Sequence, residues 1–479
     1  MIMKIRKIND FLWEIPREGG MRVPGRIYAS EVMLQSILND NAPRQVANVA
    51  HLPGIINYSM AMPDIHWGYG FSIGGVAAFD MDEGVISPGG VGYDINCGVR
   101  LMRTGLEKKD VQGKVKEIIR ALFVHIPTGV GSKSELRVSK QELMQVMRKG
   151  ARWAIERGYG SASDLERIEE HGEMQGADPS AVSEKAITRG QPQLGTLGSG
   201  NHFVELQYVS DVYDQEIARR LGLHEDQIAL TIHTGSRGLG YQVCDDSIRK
   251  MLRASEKYGI HLPDRQLCCA PIDSPEGKAY FSAMACAVNY AFANRQIITH
   301  WAQEALEQSL RMSPGDLRMT TVYEVAHNIA KFEEHTIGGS KRTVCVHRKG
   351  ATRAFGPGRT ELPAEYRDIG QPVLIPGDMG RCSYVLTGTT GAMEQTFGSS
   401  CHGAGRVLSR NKAIKRAKGR SIDVELQEKG IYVQATGRRT LAEEMPEAYK
   451  DVSQVVDAVS GAHISHKVAR LKPLGAIKG

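Results

Sequence analysis

The sequence lacks the features that would assign it to several common protein classes. No run of about 18 apolar residues occurs, so no segment is predicted to cross a membrane. The N-terminal residues have no apolar core of the kind found in signal peptides. The eight cysteines form no C-x-x-C pair, so the sequence indicates neither a zinc ribbon nor a disulfide framework. We therefore expect a protein of the reducing cytoplasm.

A Walker-type phosphate loop, G-x-x-x-x-G-K-[ST], is also missing, so any nucleotide must bind through a different scheme. Glycine, in contrast, is abundant, and its 52 residues indicate many loops with unusual backbone conformations. The formal net charge of +6 permits a polyanionic partner without requiring one. At 479 residues, length alone would suggest roughly three domains.

Hydrophobic periodicity predicts both helices and strands. Apolar residues at three- and four-residue spacing predict helices over 32–38, 111–123, 141–156 and, as the best helix of the sequence, 277–310. Short apolar runs between turn residues predict strands over 71–79, 204–209, 228–232, 343–347 and 371–375. Residues 161–195 are polar and rich in glycine, proline and serine, which predicts a surface excursion.

The stretch 89–100, GGVGYDINCGVR, places a carboxylate and a thiol three residues apart on a backbone with four glycines. Glycine permits positive φ and close approach of other groups, so this loop can direct Asp94 and Cys97 at one point. Carboxylate oxygen favours Mn or Mg, whereas thiolate sulfur favours Zn, Fe or Cu, and a thiolate can also bridge two ions. The alternative interpretation is a glycine-rich turn around a buried, inert cysteine.

Four of the fifteen histidines lie where a predicted strand or helix meets a loop: His202, His233, His327 and His402. A single histidine in such a place is more often a hydrogen-bonded structural residue than a metal ligand. Three histidines and the Asp–Cys pair, however, offer too many donors for one open site and about enough for two ions that share the sulfur. Two adjacent metals can clamp the oxygens of an in-line phosphoryl displacement.

His402 differs from the other three histidines because Gly403 and Gly405 leave its ring accessible, and Arg406 and Arg410 offer charge for a phosphate. A histidine so placed can act as a covalent nucleophile, and the backbone N–H groups of the glycines can hold an anion. The run 406–420 contains seven Lys or Arg residues and no acid, which suits a nucleic-acid backbone. A solvated helix face is an equally good interpretation of that run.

With these residues in view, the chain closely resembles the RtcB family of RNA-splicing ligases. The motifs that carry the resemblance follow in order at 62–70, 89–100, 198–205, 233–238, 326–328, 383–388, 401–406 and 477–479. The resemblance implies an α+β fold with central β-sheets in a sandwich-like core surrounded by α-helices. Because the motifs run from Asp94 to Lys478, we expect residues 1–479 to form a single catalytic unit.

The resemblance implies a GTP- and Mn(II)-dependent ligase that joins RNA 2′,3′-cyclic phosphate or 3′-phosphate ends to 5′-hydroxyl ends, in tRNA splicing or RNA repair. His402 would attack the α-phosphate of GTP and form a covalent His–GMP. GMP would then pass to the RNA 3′-phosphate, and the 5′-hydroxyl would displace it.

By the same resemblance, the enzyme would hold two Mn ions. Asp94, Cys97 and His202 would bind one ion, and Cys97, His233 and His327 would bind the other. Cys97 would therefore bridge the two ions.

The resemblance also implies substrate contacts. Residues around the guanylate would be Asn201, His202, Phe203, Val204, Glu205, His327, Asn328, Pro376, Gly377, Asp378, Met379, Ser383, His402, Gly403, Ala404, Gly405, Tyr449 and Lys478. Residues at the RNA ends would be Asp64, Arg237, Arg406 and Arg410. The segment 377–381 departs from the family pattern, since it carries charged residues where small or hydroxyl ones are frequent. The implied partners are tRNA halves or broken RNA; an activating protein of the archease type is left open, and neither DNA nor a membrane is expected.

Two other functions would use the same residues. A two-metal phosphoesterase or nuclease would need the metal ligands but no covalent intermediate on His402. A metal-stabilised RNA-binding protein would use the histidines only to hold its fold. Every one of these interpretations requires ligands spread over more than 200 positions to meet in space.

Overall fold

β-Strands form the centre of the molecule. A computed structural model of the chain describes residues 3–479. Its strands, in chain order, are β1 (Arg6–Asn9), β2 (Leu12–Ile15), β3 (Gly25–Tyr28), β4 (Ser59–His66), β5 (Ile73–Asp80), β6 (Val85–Ile86), β7 (Gly98–Glu107), β8 (Phe203–Val212), β9 (Gln227–Thr234), β10 (Ala270–Pro271), β11 (Thr320–Ala326), β12 (Asn328–Ile337), β13 (Ser340–Lys349), β14 (Ala351–Arg353), β15 (Pro372–Ile375), β16 (Ser383–Gly388), β17 (Ser399–Cys401), β18 (Tyr432–Ala435) and β19 (Ser465–Lys478).

Most of these strands belong to two large sheets. The first sheet has the order β1-β2-β3-β4-β5-β13-β12, and the second has the order β11-β7-β9-β8-β19-β16-β15, with β18 paired to β19. The chain passes directly from the second sheet to the first at His327, which separates β11 from β12. A residue at this crossing faces elements of both sheets.

Helices surround the sheets. In chain order they are α1 (Glu31–Leu38), α2 (Ala42–Val49), α3 (Lys108–Val111), α4 (Val115–His125), α5 (Lys140–Lys149), α6 (Ala151–Glu156), α7 (Glu184–Gly190), α8 (Gln215–Leu221), α9 (Arg237–Lys257), α10 (Pro275–Leu310), α11 (Pro314–Leu317), α12 (Thr390–Gln395), α13 (Arg410–Arg416), α14 (Ile422–Glu428), α15 (Arg438–Glu443) and α16 (Val452–Gly461). No helix in residues 3–479 has the length and apolar character needed to cross a bilayer.

The 36-residue helix α10 is the main support of the second sheet. It begins at the cap Ser274, whose hydroxyl accepts a hydrogen bond of 3.0 Å from Gly277 N. Buried residues occur around most of its circumference, because it packs against α4, α5, α6, α9 and β9. Its buried polar side chains, described below, reach the candidate site.

The expected α+β class is confirmed, and so are most of the predicted elements. The predicted helices 32–38 and 277–310 correspond to α1 and α10, and the strands 204–209, 228–232, 343–347 and 371–375 fall on β8, β9, β13 and β15. The helix predicted over 111–123 is wrong in part: it is interrupted at Gly113, with φ of +81°, between α3 and α4. The helix predicted over 141–156 is likewise broken at Gly150, with φ of +56°, between α5 and α6. The strand predicted over 71–79 begins only at Ile73.

The segment 161–195 is less superficial than its composition predicts. Its apolar side chains are widely spaced, yet Leu165, Ile168, Met174, Val182 and Leu194 are buried in the same core as α10. Short helical turns let the segment fold back on the core. Most of its polar residues are exposed or half-buried, but Glu169 is buried and pairs with Lys331 at 2.7 Å. The prediction of a polar surface excursion is therefore wrong for these apolar positions.

Candidate active site

Four neighbouring strands of the second sheet bring distant residues to one place. In the order β11-β7-β9-β8, His327 follows the end of β11 and Cys97 precedes the start of β7. His233 lies next to the last residue of β9, and His202 precedes the start of β8. Adjacent strands run antiparallel, so the ends of β11 and β9 lie beside the starts of β7 and β8.

The pairing register fixes this convergence. His233 pairs with Val99 on one side and with Phe203 on the other. Ala326, the last residue of β11, pairs with Gly98, the first residue of β7. Cys97, His202, His233 and His327 are far apart in the sequence. Strand pairing therefore brings all four to the same edge of the sheet.

The donor atoms lie close together. Cys97 Sγ is 3.2 Å from His233 Nε2 and 3.6 Å from His202 Nε2. His202 Nε2 is 2.8 Å from Asp94 Oδ2, and ligand atoms of Asp94, Cys97 and His202 all lie within 4.8 Å of one another. The ring of His327 is 5.3 Å from that of His233, measured between centroids. The sequence predicted these five residues as metal ligands, and all five lie together.

The histidines present the form of imidazole that binds metals. Burial lowers the pKa of His233 and His327 well below the ordinary value, which keeps both rings neutral. His202 Nδ1 is 3.0 Å from Leu197 O, and His327 Nδ1 is 3.0 Å from Thr352 Oγ1, so the Nε2 of each ring faces the other candidate donors. Within residues 3–479, the buried Nε2 of His327 has no hydrogen-bond partner. A cation would satisfy this nitrogen.

Cys97 and Asp94 complete a donor set that fits a transition metal. Burial, and then the neighbouring Asp94, raise the pKa of the Cys97 thiol well above its ordinary value. A bound cation would reverse that effect, because a coordinating thiol is deprotonated. Burial also acts to raise the pKa of Asp94, but His202 outweighs it and the pKa is lowered. A carboxylate, a thiolate and neutral imidazoles together suit Mn, Fe or Zn.

A buried arginine of α10 holds the metal-donor loop in place. Arg295 donates 2.8 and 3.0 Å hydrogen bonds to the O and Oδ1 of Asn96, and a 2.7 Å bond to Thr234 O at the end of β9. Its Nε donates to Glu324 Oε1 at 2.7 Å, and Glu324 also pairs with Arg100. Asn96 has φ of +51°, a conformation that its neighbours must enforce. The sequence analysis missed Arg295, although a charged residue within an otherwise apolar helix was a usable signal.

His402 is held by a carboxylate. It follows β17, and its Nδ1 and backbone N contact Asp64 Oδ2 at 2.5 and 3.0 Å. Burial acts to raise the pKa of Asp64, but His402 outweighs it, so Asp64 stays ionised. Because a carboxylate only accepts hydrogen bonds, Nδ1 carries a proton, and in the neutral tautomer of the ring Nε2 keeps its lone pair. The ring of His402 lies 5.2 Å from that of His327, between centroids.

His402 shares one cavity of about 230 Å³ with four of the five candidate metal donors. Asp94, Cys97, His233 and His327 line one side of it. Most of the predicted guanylate residues also line it: Asn201, Phe203, Glu205, Asn328, Pro376, Gly377, Asp378, Met379, Gly403, Ala404, Gly405, Tyr449 and Lys478.

Three predicted guanylate residues, His202, Val204 and Ser383, are not part of the cavity wall. His202 lies beside the candidate metal donors Asp94 and Cys97. Val204 is buried in the core, because alternate residues of β8 face opposite sides of the sheet. Ser383 lies behind the wall, where its hydroxyl accepts hydrogen bonds from Gln207 and from Gly377 N at 3.0 and 3.3 Å. Ser383 therefore supports the turn that carries the cavity residues. Sequence analysis also missed His66, Ile73 and Gly350, which line the cavity.

Buried ionisable side chains, both acidic and basic, line part of the cavity. Burial raises the pKa of Glu205 to about 8 and lowers the pKa of Lys478. Burial also raises the pKa of Asp378, although Arg381 lies 3.1 Å away. Buried ionisable groups with shifted pKa values are common at functional sites.

The arginines predicted at the RNA ends differ in position. Arg406 and Arg410 line the cavity, and Arg406 donates to both Glu444 oxygens at 3.1 Å and to Tyr449 Oη at 3.1 Å. Arg237 lies outside the cavity lining, where it begins α9 and donates to Thr196 Oγ1 at 3.1 Å.

Asp64 requires a correction. The sequence analysis assigned it to the RNA ends, but its side chain is fully buried and its carboxylate faces His402. A residue without exposed surface cannot contact an RNA end directly. The chemistry of Asp64 is therefore that of orienting His402.

Comparison with known proteins agrees with this site. A model of the family described as tRNA-splicing ligase RtcB matches residues 45–479. The chain belongs to the RtcB family. The tRNA-splicing ligase RtcB of Archaeoglobus fulgidus is 57% identical over 477 residues, covering 99% of both chains. Those of Methanococcus maripaludis and Thermococcus kodakarensis are each 55% identical, and each alignment covers at least 99% of both chains.

The match to the RtcB family covers the whole site. The metal donors, Asp64, His402 and Lys478 all fall within residues 45–479. Strands β1 to β3 and helix α1 precede that range, but the alignments with individual RtcB relatives extend over them. The family assignment therefore applies to nearly the whole chain.

Proposed function

We propose that this chain is a GTP- and Mn(II)-dependent RNA ligase that joins 3′-phosphate or 2′,3′-cyclic phosphate ends to 5′-hydroxyl ends, in tRNA splicing or RNA repair. The names of its relatives, tRNA-splicing ligases, support the class of reaction. The observation that carries the proposal is His402, which contacts the buried Asp64 and lines one cavity with Asp94, Cys97, His233 and His327. A two-metal hydrolase that activates water directly does not need a histidine nucleophile.

In the first step, His402 Nε2 attacks the α-phosphorus of GTP. A P–N bond forms, the bond to the oxygen that bridges the α- and β-phosphates breaks, and pyrophosphate leaves. Asp64 keeps the proton on Nδ1 and stabilises the positive charge that develops on the ring. Neutral imidazole attacks without prior loss of a proton, and the resulting phosphoramidate stays reactive.

In the second step, an oxygen of the RNA 3′-phosphate attacks the same phosphorus, and the P–N bond to His402 breaks. The RNA then ends in a 3′-to-5′ diphosphate linkage to guanosine. In the third step, the 5′-hydroxyl oxygen attacks the RNA 3′-phosphorus, GMP leaves, and the hydroxyl proton is released. Water must first open a cyclic phosphate end. Arg406 and Arg410 offset the negative charge of the phosphates.

The metal donors are proposed to hold two Mn(II) ions with Cys97 shared between them. Asp94, Cys97 and His202 would hold one ion, and Cys97, His233 and His327 the other. Such ions supply Lewis-acid neutralisation of phosphate oxygens when bound. The unpartnered Nε2 of His327 and the 3.2 Å approach of Cys97 Sγ to His233 Nε2 support this assignment.

The buried end of the cavity is proposed to recognise guanine. Guanine offers N–H donors at N1 and N2 and an acceptor at O6, whereas adenine has the opposite pattern at the corresponding edge. Glu205 offers an acceptor and Lys478 a donor, and both line the cavity. The pairing of β8 with β19 brings these two residues to the same region of the sheet.

Labelling with α-phosphate-labelled GTP and Mn(II) tests the proposal. We expect a covalent adduct that is acid-labile and alkali-stable, as a phosphoramidate should be, and that is lost in His402→Ala. His66→Ala serves as a control, because His66 lines the same cavity without a contact to Asp64 Oδ2. It should still form the adduct. Labelling that survives His402→Ala would refute the assigned nucleophile.

The rival functions give different results in the same experiment. A two-metal phosphoesterase or nuclease would cleave RNA without forming any adduct, and a metal-stabilised RNA-binding protein would do neither. Ligation of a 3′-phosphate end to a 5′-phosphate end, in preference to a 5′-hydroxyl end, would overturn the proposed polarity. The archease-type activator stays a prediction, which multiple-turnover ligation with and without such a protein would test.

A further inference from the structure

A row of aromatic rings adjoins the metal side of the cavity. The ring of Tyr69 is 5.6 Å from that of Tyr93, and Tyr93 stacks on Tyr241 at 4.9 Å, between centroids. Tyr93 directly precedes the metal donor Asp94, and Tyr241 lies one helical turn after Arg237 on α9. Tyr241 is 46% exposed, so the row ends at the protein surface.

Trp67 lies on the same loop as Tyr69, two residues before it. Its indole is 49% exposed, whereas Trp13 and Trp153 are buried. It directly follows His66, which lines the cavity. We define Trp67, Tyr69, Tyr93 and Tyr241 together as the aromatic rim.

The loop that carries Trp67 is held firmly. The buried side chain of Gln45 accepts a 3.0 Å hydrogen bond from Gly68 N and donates 2.7 and 3.0 Å bonds to the carbonyl oxygens of Gly68 and Gly70. Gln266 Oε1 accepts a further 3.0 Å bond from Gly70 N. A fixed backbone that projects an aromatic ring into solvent loses little conformational entropy when a ligand stacks on that ring.

Positive charge accompanies the rim. The guanidinium of Arg189 lies 5.0 Å from the Tyr241 ring and donates a 2.9 Å hydrogen bond to Gln242 Oε1. Within residues 3–479, Arg189 forms no ion pair with a carboxylate, so its charge is available to an anion. Arg237 adds a second positive charge at the start of the same helix.

We propose that the aromatic rim is a stacking surface for the unpaired bases next to one RNA end, with Arg189 binding the accompanying phosphate. This inference rests on the proposed function. Aromatic rings interleaved with basic side chains are the usual means of holding single-stranded nucleic acid without regard to sequence. The exposed rings of Trp67 and Tyr241 contact the bases, and Tyr69 and Tyr93 support them from behind.

A double-mutant cycle between rings and bases tests the proposal. The probe is a fluorescent single-stranded RNA of ten nucleotides with a 5′-hydroxyl and a 3′-phosphate. An abasic nucleotide replaces one of the three positions next to either end. The Kd is measured by fluorescence anisotropy with Mn(II) and without GTP. We expect Trp67→Ala or Tyr241→Ala to weaken binding about tenfold, the usual contribution of one stacked base.

The decisive result is the coupling. An abasic position that contacts the rim should weaken wild-type binding by a similar factor, and should weaken the matching alanine variant no further. The end at which this coupling appears identifies the strand that the rim holds. Unchanged Kd values, or fully additive losses at every position, would overturn the proposal; a surface that binds a protein instead would give this result.

Matched variants separate stacking from disturbed folding. Trp67→Phe and Tyr241→Phe keep a ring and should bind RNA within about threefold of wild type. Tyr213→Ala removes a ring that is 48% exposed at the far end of β8, roughly 30 Å from Phe203, and should leave Kd unchanged. Self-guanylylation of the wild-type protein is followed separately. An absent adduct refutes the proposed function, whereas a normal adduct with additive losses refutes only the rim.

Discussion

The two halves of the active site are built differently. The proposed metal half consists of Asp94, Cys97, His202, His233 and His327. The cysteine and the three histidines lie at or beside the ends of adjacent strands, and Asp94 lies four residues before β7. The proposed guanylate half draws on six separate segments, namely β8 with Asn201 before it, the start of β12, the turn after β15, the loop after β17, the region around Tyr449, and the end of β19.

The electrostatics of the two halves differ as well. The metal half presents neutral imidazoles and one unpartnered nitrogen, a state that a cation would complete. The proposed guanylate half already contains charges of both signs, since Glu444 pairs with Arg406 and Lys478 lines the cavity. We infer that the metal half is arranged in advance, whereas the guanylate half must exchange internal contacts for contacts to the nucleotide.

The largest expected effect tests whether Cys97 is shared by both proposed Mn ions. Cys97→Ala should lose both Mn ions together, because one sulfur is proposed to serve both, and adduct formation should stop. Metal content measured by mass spectrometry and by electron paramagnetic resonance would check this. Cys286→Ala, which removes another buried thiol on α10, is the control and should retain both ions. Retention of one ion at full occupancy in Cys97→Ala would refute the shared ligand.

The second expected effect concerns the contact between the halves. In Asp64→Asn, the amide can donate to Nδ1 of His402 and so favour the tautomer whose Nε2 carries the proton. We expect adduct formation to slow about 10²- to 10⁴-fold, as when the carboxylate of a catalytic triad is replaced. Quench-flow labelling gives the rate, and metal content should match the wild type. An unchanged rate would remove Asp64 from the mechanism.

The sequence predicted the five candidate metal donors, but it did not predict the roles of Arg295 and Asp64, which hold the site residues in place. Histidines beside glycine-bearing loops marked the strand ends, and strand pairing then brought them together. Arg295 could not be assigned, because periodicity indicates only that a helix is buried and not which loops its polar side chains reach. Asp64 was assigned to RNA for a related reason: a motif predicts proximity to the site, but burial decides what a carboxylate touches.

The third expected effect tests whether Arg295 of α10 keeps the proposed metal donors in position. Arg295→Lys keeps the charge but cannot make all four hydrogen bonds, so the loop of Asn96 should loosen. We expect Mn affinity to fall about 10- to 100-fold, as is usual when a residue behind the ligands is changed. Isothermal titration calorimetry would measure it.

A second buried arginine provides the control for this variant. Arg348 is also fully buried, and it donates to both oxygens of Glu333 at 2.6 and 2.8 Å. Arg348→Lys should lower the melting temperature as Arg295→Lys does, but should leave Mn affinity near the wild-type value. Equal losses of Mn affinity in both variants would mean that α10 has no special connection to the metals.

The smallest expected effect concerns the guanylate half and depends on pH. Burial raises the pKa of Glu205 to about 8, so the folded protein keeps a proton that the unfolded chain releases from about pH 4.5 upwards. Wild-type stability should therefore fall as pH rises through the window from about 5 to 8, by at most ~1.4 kcal/mol per pH unit. The side chain of Glu205→Gln does not titrate, so it does not contribute this pH dependence. The melting temperature of this variant should match the wild type near pH 5 and exceed it by roughly 1–3 °C above pH 8.

Added GTP should act against this difference in melting temperature between Glu205→Gln and the wild type. Guanine N–H donors stabilise the Glu205 carboxylate, so added GTP should raise the wild-type melting temperature more at pH 8 than at pH 6, and should raise that of Glu205→Gln by less at either pH. The exposed Glu428→Gln on α14 controls for the loss of one carboxylate and should follow the wild type throughout. Parallel pH curves for Glu205→Gln and wild type, with and without GTP, would mean that Glu205 neither holds a proton in the empty cavity nor contacts the base. The proposed guanylate half, like the proposed metal half, would then need no change of internal contacts when its ligand binds.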